Sequence, residues 1–172
     1  MSEVILVLSL LVPDAPIPVG APAPVAVDIR NVSERPVWVV GVVDGSEEAI
    51  RYPHYRPQIS RDGEVVAEPP PPEDPLVSPL RCVDFRLLNP GESFDPTRGE
   101  QGSAYQALST FVNFRPAVPG VYTYSLTFST ESASLEQWLG RFNQDADREA
   151  VLERAAQVPR VTLTASASIK VR

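Results

Sequence analysis

The chain has 172 residues but only one cysteine and one histidine. With Cys82 alone there is no intrachain disulfide, and a reducing compartment is allowed. With His54 alone, a catalytic or metal role has to draw its partners from other residue types. Arg51 and Arg56, its near neighbours, would repel a metal, so His54 reads as loop packing. Basic charge is also short: 15 Lys and Arg stand against 22 Asp and Glu, a net charge of −7. That balance disfavours nucleic acid and anionic membrane, both of which reward basic surfaces. The apolar run Val4–Val12 is broken by Ser9 and is too short to cross a bilayer. Glu3 stands where a signal peptide has a basic region, and no small-x-small cleavage site follows closely. The run therefore reads as a strand apolar on both faces, central or covered. A cytoplasmic location is expected, with secretion the minority alternative.

The clearest signal present is a period of two. From Val161 to Arg172, apolar residues hold positions 161, 163, 165, 167, 169 and 171, with Thr, Ser, Lys and Arg between. Tyr122, Tyr124, Leu126 and Phe128 repeat the pattern in the segment before. Such alternation marks strands with one buried and one wet face, and two of them favour an antiparallel sheet packed on one side. If they pair, Thr123, Ser125, Thr127 and Ser129 form a hydroxyl ladder with Thr162, Thr164, Ser166 and Ser168. The ladder reads as a solvent face built from good strand formers. Further strands are expected at Pro24–Asn31, Val37–Val43, Leu80–Leu88 and Ala107–Phe114, with a hairpin across Ile59–Ala67.

Proline is abundant, 19 residues in clusters at turns. Residues 44–78 form an irregular, proline-rich excursion, and Pro69–Pro72 should be polyproline II. Before the last strand, Ser134 and Gln137 make a capping-box pattern. Leu135, Trp138, Leu139 and Phe142 follow as one helical stripe. A second helix is expected from Asp145, as N-cap, to about Gln157. The two helices, an insertion over about 133–157, should cover a sheet edge or an open end. With hydrophobic residues at 43% of the chain, one domain over 1–172 can bury a core.

Three turns, Asn31-Val-Ser-Glu-Arg-Pro-Val37, Leu88-Asn-Pro-Gly-Glu-Ser93 and Pro119-Gly-Val-Tyr122, resemble in their order those of bacterial immunoglobulin-like β-sandwich domains. The resemblance implies an all-β, immunoglobulin-like antiparallel sandwich of roughly seven to nine strands, with a two-helix insertion before the last. It places Trp38 as a strand-C tryptophan and Tyr122 as the tyrosine of the strand-F corner. There is a fainter similarity to bacterial intracellular proteinase-inhibitor-type domains. The 44–78 excursion and the helices depart from both patterns.

Candidate chemistry is sparse. Cys82 reads as a small buried hydrophobe on the face of Leu80. The acids Asp44, Glu47, Glu48, Glu73 and Asp74 lack the alternating spacing of a calcium loop and read as solvated. Arg51, Tyr52, His54, Tyr55 and Arg56 stand out, because Tyr and Arg are enriched at binding hot spots and prolines would stiffen their loop. The expected function is a non-enzymatic binding or structural module without cofactor, contacting a protein partner through the 51–57 loop and the adjacent proline tract. The alternatives are a proteinase inhibitor presenting a stiff loop and a hydrolase with a loop-borne site. The oligomeric state is left open: the long last strand could pair across a homodimer if it lies at a sheet edge.

Overall fold

A computed structural model describes residues 3–72, 76–142 and 144–172. Its strands form three antiparallel sheets, accompanied by two short α-helices. β1 (Leu6–Leu11), β2 (Ala26–Asn31) and β7 (Ser93–Phe94) form a three-stranded sheet in the order β1-β2-β7. β4 (His54–Arg61), β5 (Glu64–Ala67), β8 (Gly120–Ser129) and β9 (Thr162–Val171) form a four-stranded sheet in the order β5-β4-β8-β9. β3 (Val37–Val40) and β6 (Phe85–Leu88) pair as a separate ribbon. The helices are α1 (Ser109–Asn113) and α2 (Arg148–Ala155).

The period-two segments do what their pattern demands. β8 and β9 pair without interruption from Gly120↔Val171 to Ser129↔Thr162. Tyr122, Tyr124, Leu126 and Phe128 are all buried, and they meet Leu6, Leu8, Val27, Ile29 and Phe94 of the three-stranded sheet in one core. Fully burying each of these side chains is worth about 1.5–3 kcal/mol. The two sheets therefore face each other, and a strap joins them along one side. After β1 the chain crosses over so that Ile17 bridges Val171 of β9 in parallel.

A second core sits at one end of the first. The β3–β6 ribbon supplies Val40 and Phe85. The segment before β9 supplies Trp138, Val151, Ala155 and Val158. The insertion thus covers the ribbon. Trp138 is fully buried, and its indole N–H donates to Ser132 Oγ at 3.0 Å.

Several expectations need correction. β1 is an edge strand, with Val7 and Leu11 exposed, because its outer face has no layer above it. Residues 54–61 are not a loop but β4, an inner strand of the largest sheet. Pro57 is tolerated there because β5 reaches only to Ile59 and leaves that side of Pro57 without a partner strand. The adjoining hairpin is as expected: Asp62 and Gly63 both take positive φ, as a tight two-residue turn requires. Residues 107–114 contain α1 rather than a strand; the Glu47 carboxylate accepts the N–H groups of Ser109 and Thr110 at 2.9 and 2.8 Å. Cys82 lies in a 3-10 turn before β6 and is partly exposed.

The first insertion helix is a single 3-10 turn, Leu135–Trp138, with the Ser134–Gln137 box in place. It stops because Gly140 lies against the backbone of Ser78 and Pro79, where an added Cβ would meet Ser78 O at 2.4 Å. Phe142 consequently points into solvent. The N-cap of α2 is Asp147, not Asp145, which begins a short 3-10 turn.

Candidate functional site

The segment Arg51–Arg56 runs from the second core onto the outer face of the four-stranded sheet. Alternation along β4 decides where each side chain goes. Tyr55 and Ile59 point inward, while His54, Arg56 and Gln58 point outward.

Arg51 and Tyr55 are interior groups. The Arg51 guanidinium donates to the carbonyls of Ser78 and Trp138 at 2.5 and 2.7 Å, and more weakly to that of Asp44 at 3.4 Å. Burial lowers Arg51 to about 10, against the opposing pull of Asp44 and Asp84, so it stays charged at neutral pH. It stitches the excursion to the insertion. Tyr55 is fully buried, packs against the Phe128 ring at a tilt of 37° and donates its hydroxyl to Val40 O at 2.7 Å. Neither can touch a partner.

Tyr52 and His54 do reach the surface. Their rings stack at 3.7 Å between centroids, inclined by 18°. The Tyr52 N–H donates to Gln137 O at 2.9 Å, which fixes the pair against the 3-10 turn. Between them and the insertion lies a cleft of about 490 Å³, lined by Tyr52, His54, Glu136, Gly140, Arg141 and Arg148 among others. Glu136 is engaged by Arg148 at 2.6 Å. The Arg141 side chain has no hydrogen-bond or ionic partner among the described residues. Burial, with Arg56 adding to it, lowers His54 to about 4, so the imidazole is neutral at pH 7. His54 makes no hydrogen bond to a carboxylate among the described residues.

Beyond His54 the outer face continues as the hydroxyl ladder. Ser125 and Ser166 lie 3.0 Å apart, Thr127 and Thr164 3.2 Å, and Ser129 and Thr162 2.8 Å. Arg56 and Gln58 border a shallow depression with Ser125, Thr127 and Thr164.

No family model matches the chain, and neither a curated protein nor a solved structure does. The site therefore rests on its own geometry.

Two of the other candidates bond within the fold. Asp44 accepts the N–H and hydroxyl of Ser78 at 2.8 and 3.0 Å, and Glu47 is buried as the cap of α1. Glu73 and Asp74 lie outside the described residues. Among the described residues no group of three or more His, Cys, Asp or Glu is placed to hold a metal ion, and no helix is long and apolar enough to cross a membrane. Sequence reasoning missed Glu136, Arg141 and Arg148. Their place in the cleft comes from the break at Gly140 and the start of α2, and no local motif announces it.

Proposed function

We propose that the protein is an immunoglobulin-like β-sandwich acting as a non-enzymatic binding module. It contacts a protein partner at the Tyr52–His54–Arg141 cleft and the adjoining face around Arg56. Three features support the fold reading. The four-stranded order β5-β4-β8-β9 and the three-stranded order β1-β2-β7 follow the C′-C-F-G and A-B-E pattern of such domains; with β4 as strand C, Trp38, on β3 of the separate ribbon, is not a strand-C tryptophan. The Ile17–Val171 bridge makes the first strand change sheets. The Tyr122 hydroxyl donates to Val118 O at 2.8 Å, four residues back, as a strand-F corner tyrosine does.

The observation that carries the binding reading is Arg141, an unpaired cation on the rim of a cleft walled by the stacked Tyr52 and His54 rings. On a chain of net charge −7, this corner is locally basic. An acidic peptide segment with an apolar or aromatic anchor suits it. The inhibitor reading loses its support, since residues 54–57 are held within a sheet and do not protrude.

The test is affinity capture from lysate with wild type beside an Arg56→Glu/Arg141→Glu variant. Both positions are surface cations, so the variant should keep the wild-type melting temperature. Partners bound by wild type and lost by the variant are expected; identical partners from both would sink the reading.

A further inference from the structure

The four-stranded sheet has two edges, and they are protected unequally. The β5 edge is four residues long, starts at Glu64 and is followed by Glu68 and Pro69. Charge, proline and shortness are the usual defences of an edge. The β9 edge is ten residues long. At its C-terminal end the strap covers it: Ile17 N–H donates to Lys170 O at 2.9 Å, and Arg172 N–H donates to Ile17 O at 3.0 Å.

Those two bonds fix the direction of every backbone group in β9. Antiparallel ladders alternate, so if Lys170 and Arg172 point their backbone outward, so do Thr162, Thr164, Ser166 and Ser168. The outward N–H and C=O groups of these four residues have no partner among the described residues. The strand itself carries none of the usual guarding features. Residues 161–169 contain no charge and no proline, and the β8–β9 register has no bulge. Burial follows the strap. Ile169 and Val171 are 1% and 5% exposed beneath it, whereas Leu163, Ala165 and Ala167 on the same face stay half-buried.

We propose that this edge pairs antiparallel with the same edge of a second copy, about a two-fold axis at Ala165. In that register Thr164 bonds Ser166 and Thr162 bonds Ser168, so each copy's four free donors meet four free acceptors. A shift by two residues toward the C-terminus brings in Lys170, whose carbonyl Ile17 already holds. A shift by one puts the wrong faces together. On the outer face, Thr opposite Ser continues the hydroxyl pairs already made between β8 and β9. On the inner face, Leu163 meets Ala167 and Ala165 meets itself, small enough for close approach. This self-complementarity selects a second copy over an unrelated strand. The strap closes the slot beside Lys170, so the ladder ends at the Thr162–Ser168 pairs; Arg160 and Lys170 come near each other just beyond them, and each copy carries net charge −7. Salt screens both repulsions, so association should tighten with ionic strength.

The experiment is sedimentation velocity on the full chain across a wide concentration range, in low and high salt. Wild type should move from monomer to dimer, more readily in high salt. Ser166→Pro removes an outward N–H and leaves the β8 ladder its bonds, so it should stay monomeric with an unchanged circular dichroism spectrum. Thr164→Lys, which deletes no backbone donor, should weaken association at least tenfold. To fix the register, Ala165→Cys in a Cys82→Ser background should oxidise to a covalent dimer. Non-bonded antiparallel partners have Cα atoms about 4.5 Å apart, within the reach of a disulfide. A monomeric wild type, a dimer that survives both edge variants, or an Ala165→Cys chain that resists cross-linking would each overturn the proposal.

Discussion

The two cores of this molecule are held by different chemistry. The larger, between the facing sheets, is a stack of apolar side chains on regular strands, with Leu126, Ile29 and Ile59 fully buried. The smaller, between the β3–β6 ribbon and the insertion, is an irregular backbone tied by polar side chains. Arg51 binds two carbonyls tightly. Gln144 accepts the N–H groups of Leu80 and Gly140 and donates to Leu80 O, all within 2.7–2.8 Å. Asp84 closes a bidentate pair with Arg81. Regular strands satisfy their own backbone, so apolar packing is enough. Irregular chain leaves buried carbonyls and amides that only side chains can reach. Stability in the first core is spread over many contacts; in the second it is concentrated in a few.

The sharpest way to break this contrast is a pair of truncations read by amide hydrogen exchange. Leu126→Ala should destabilise the whole chain by about 2–5 kcal/mol, because the cavity opens at the centre of the main core. All slow amides should lose protection together. Arg51→Ala should cost about 3 kcal/mol, from carbonyls left buried without donors at about 1–3 kcal/mol each. Its effect should be local, with protection lost at Tyr52, Leu139 and Arg141 while the β8–β9 ladder keeps its own. A uniform loss in the Arg51 variant would show that the two cores unfold as one.

A smaller effect sharpens the comparison through pH. His54 is held near 4 in the fold against about 6.5 for a free histidine. The unfolded chain therefore takes up a proton that the folded chain refuses. Stability contributed by the neutral ring is complete above pH 6.5 and is lost as pH falls from there toward 4. Replacing His54 with Gln should flatten the melting-temperature profile in that window and leave the values above it nearly unchanged. An identical profile in the variant would assign the acid sensitivity to other groups.

The same contrast explains what was legible in the sequence. Thr162–Val171 and Val121–Ser129 could be read because a strand facing a core on one side writes its burial into alternate residues. The Asp62-Gly63 turn and the Ser134–Gln137 box are local chemistry and were equally plain. β4 was obscured by Pro53 and Pro57, though Tyr55 and Ile59 carry the period of two through them. The insertion was misread because Leu139 and Phe142 continue a helical spacing that the backbone at Ser78 and Pro79 stops from outside. Within the candidate site, Tyr and Arg suit a hot spot and a buried stitch alike. Nothing nearby tells Arg51, which lies inside, from Arg56, which does not. Arg141 could not be found at all, since its position depends on contacts distant in sequence.

The strap through Ile17 also sets how the molecule meets force. Its three bonds with the end of β9, Ile17 N–H to Lys170 O, Arg172 N–H to Ile17 O and Val19 N–H to Arg172 O, join parallel segments. Tension between the β1 side and Arg172 pulls those segments past each other, so the three bonds are loaded together in shear and none can be peeled first. The strap then acts as a mechanical clasp at the point where both sheets are joined. Single-molecule stretching between Glu3 and Arg172 should show one tall rupture. Ile17→Pro, which deletes one of the three donors, should lower it, and an unchanged rupture force would place the clasp elsewhere.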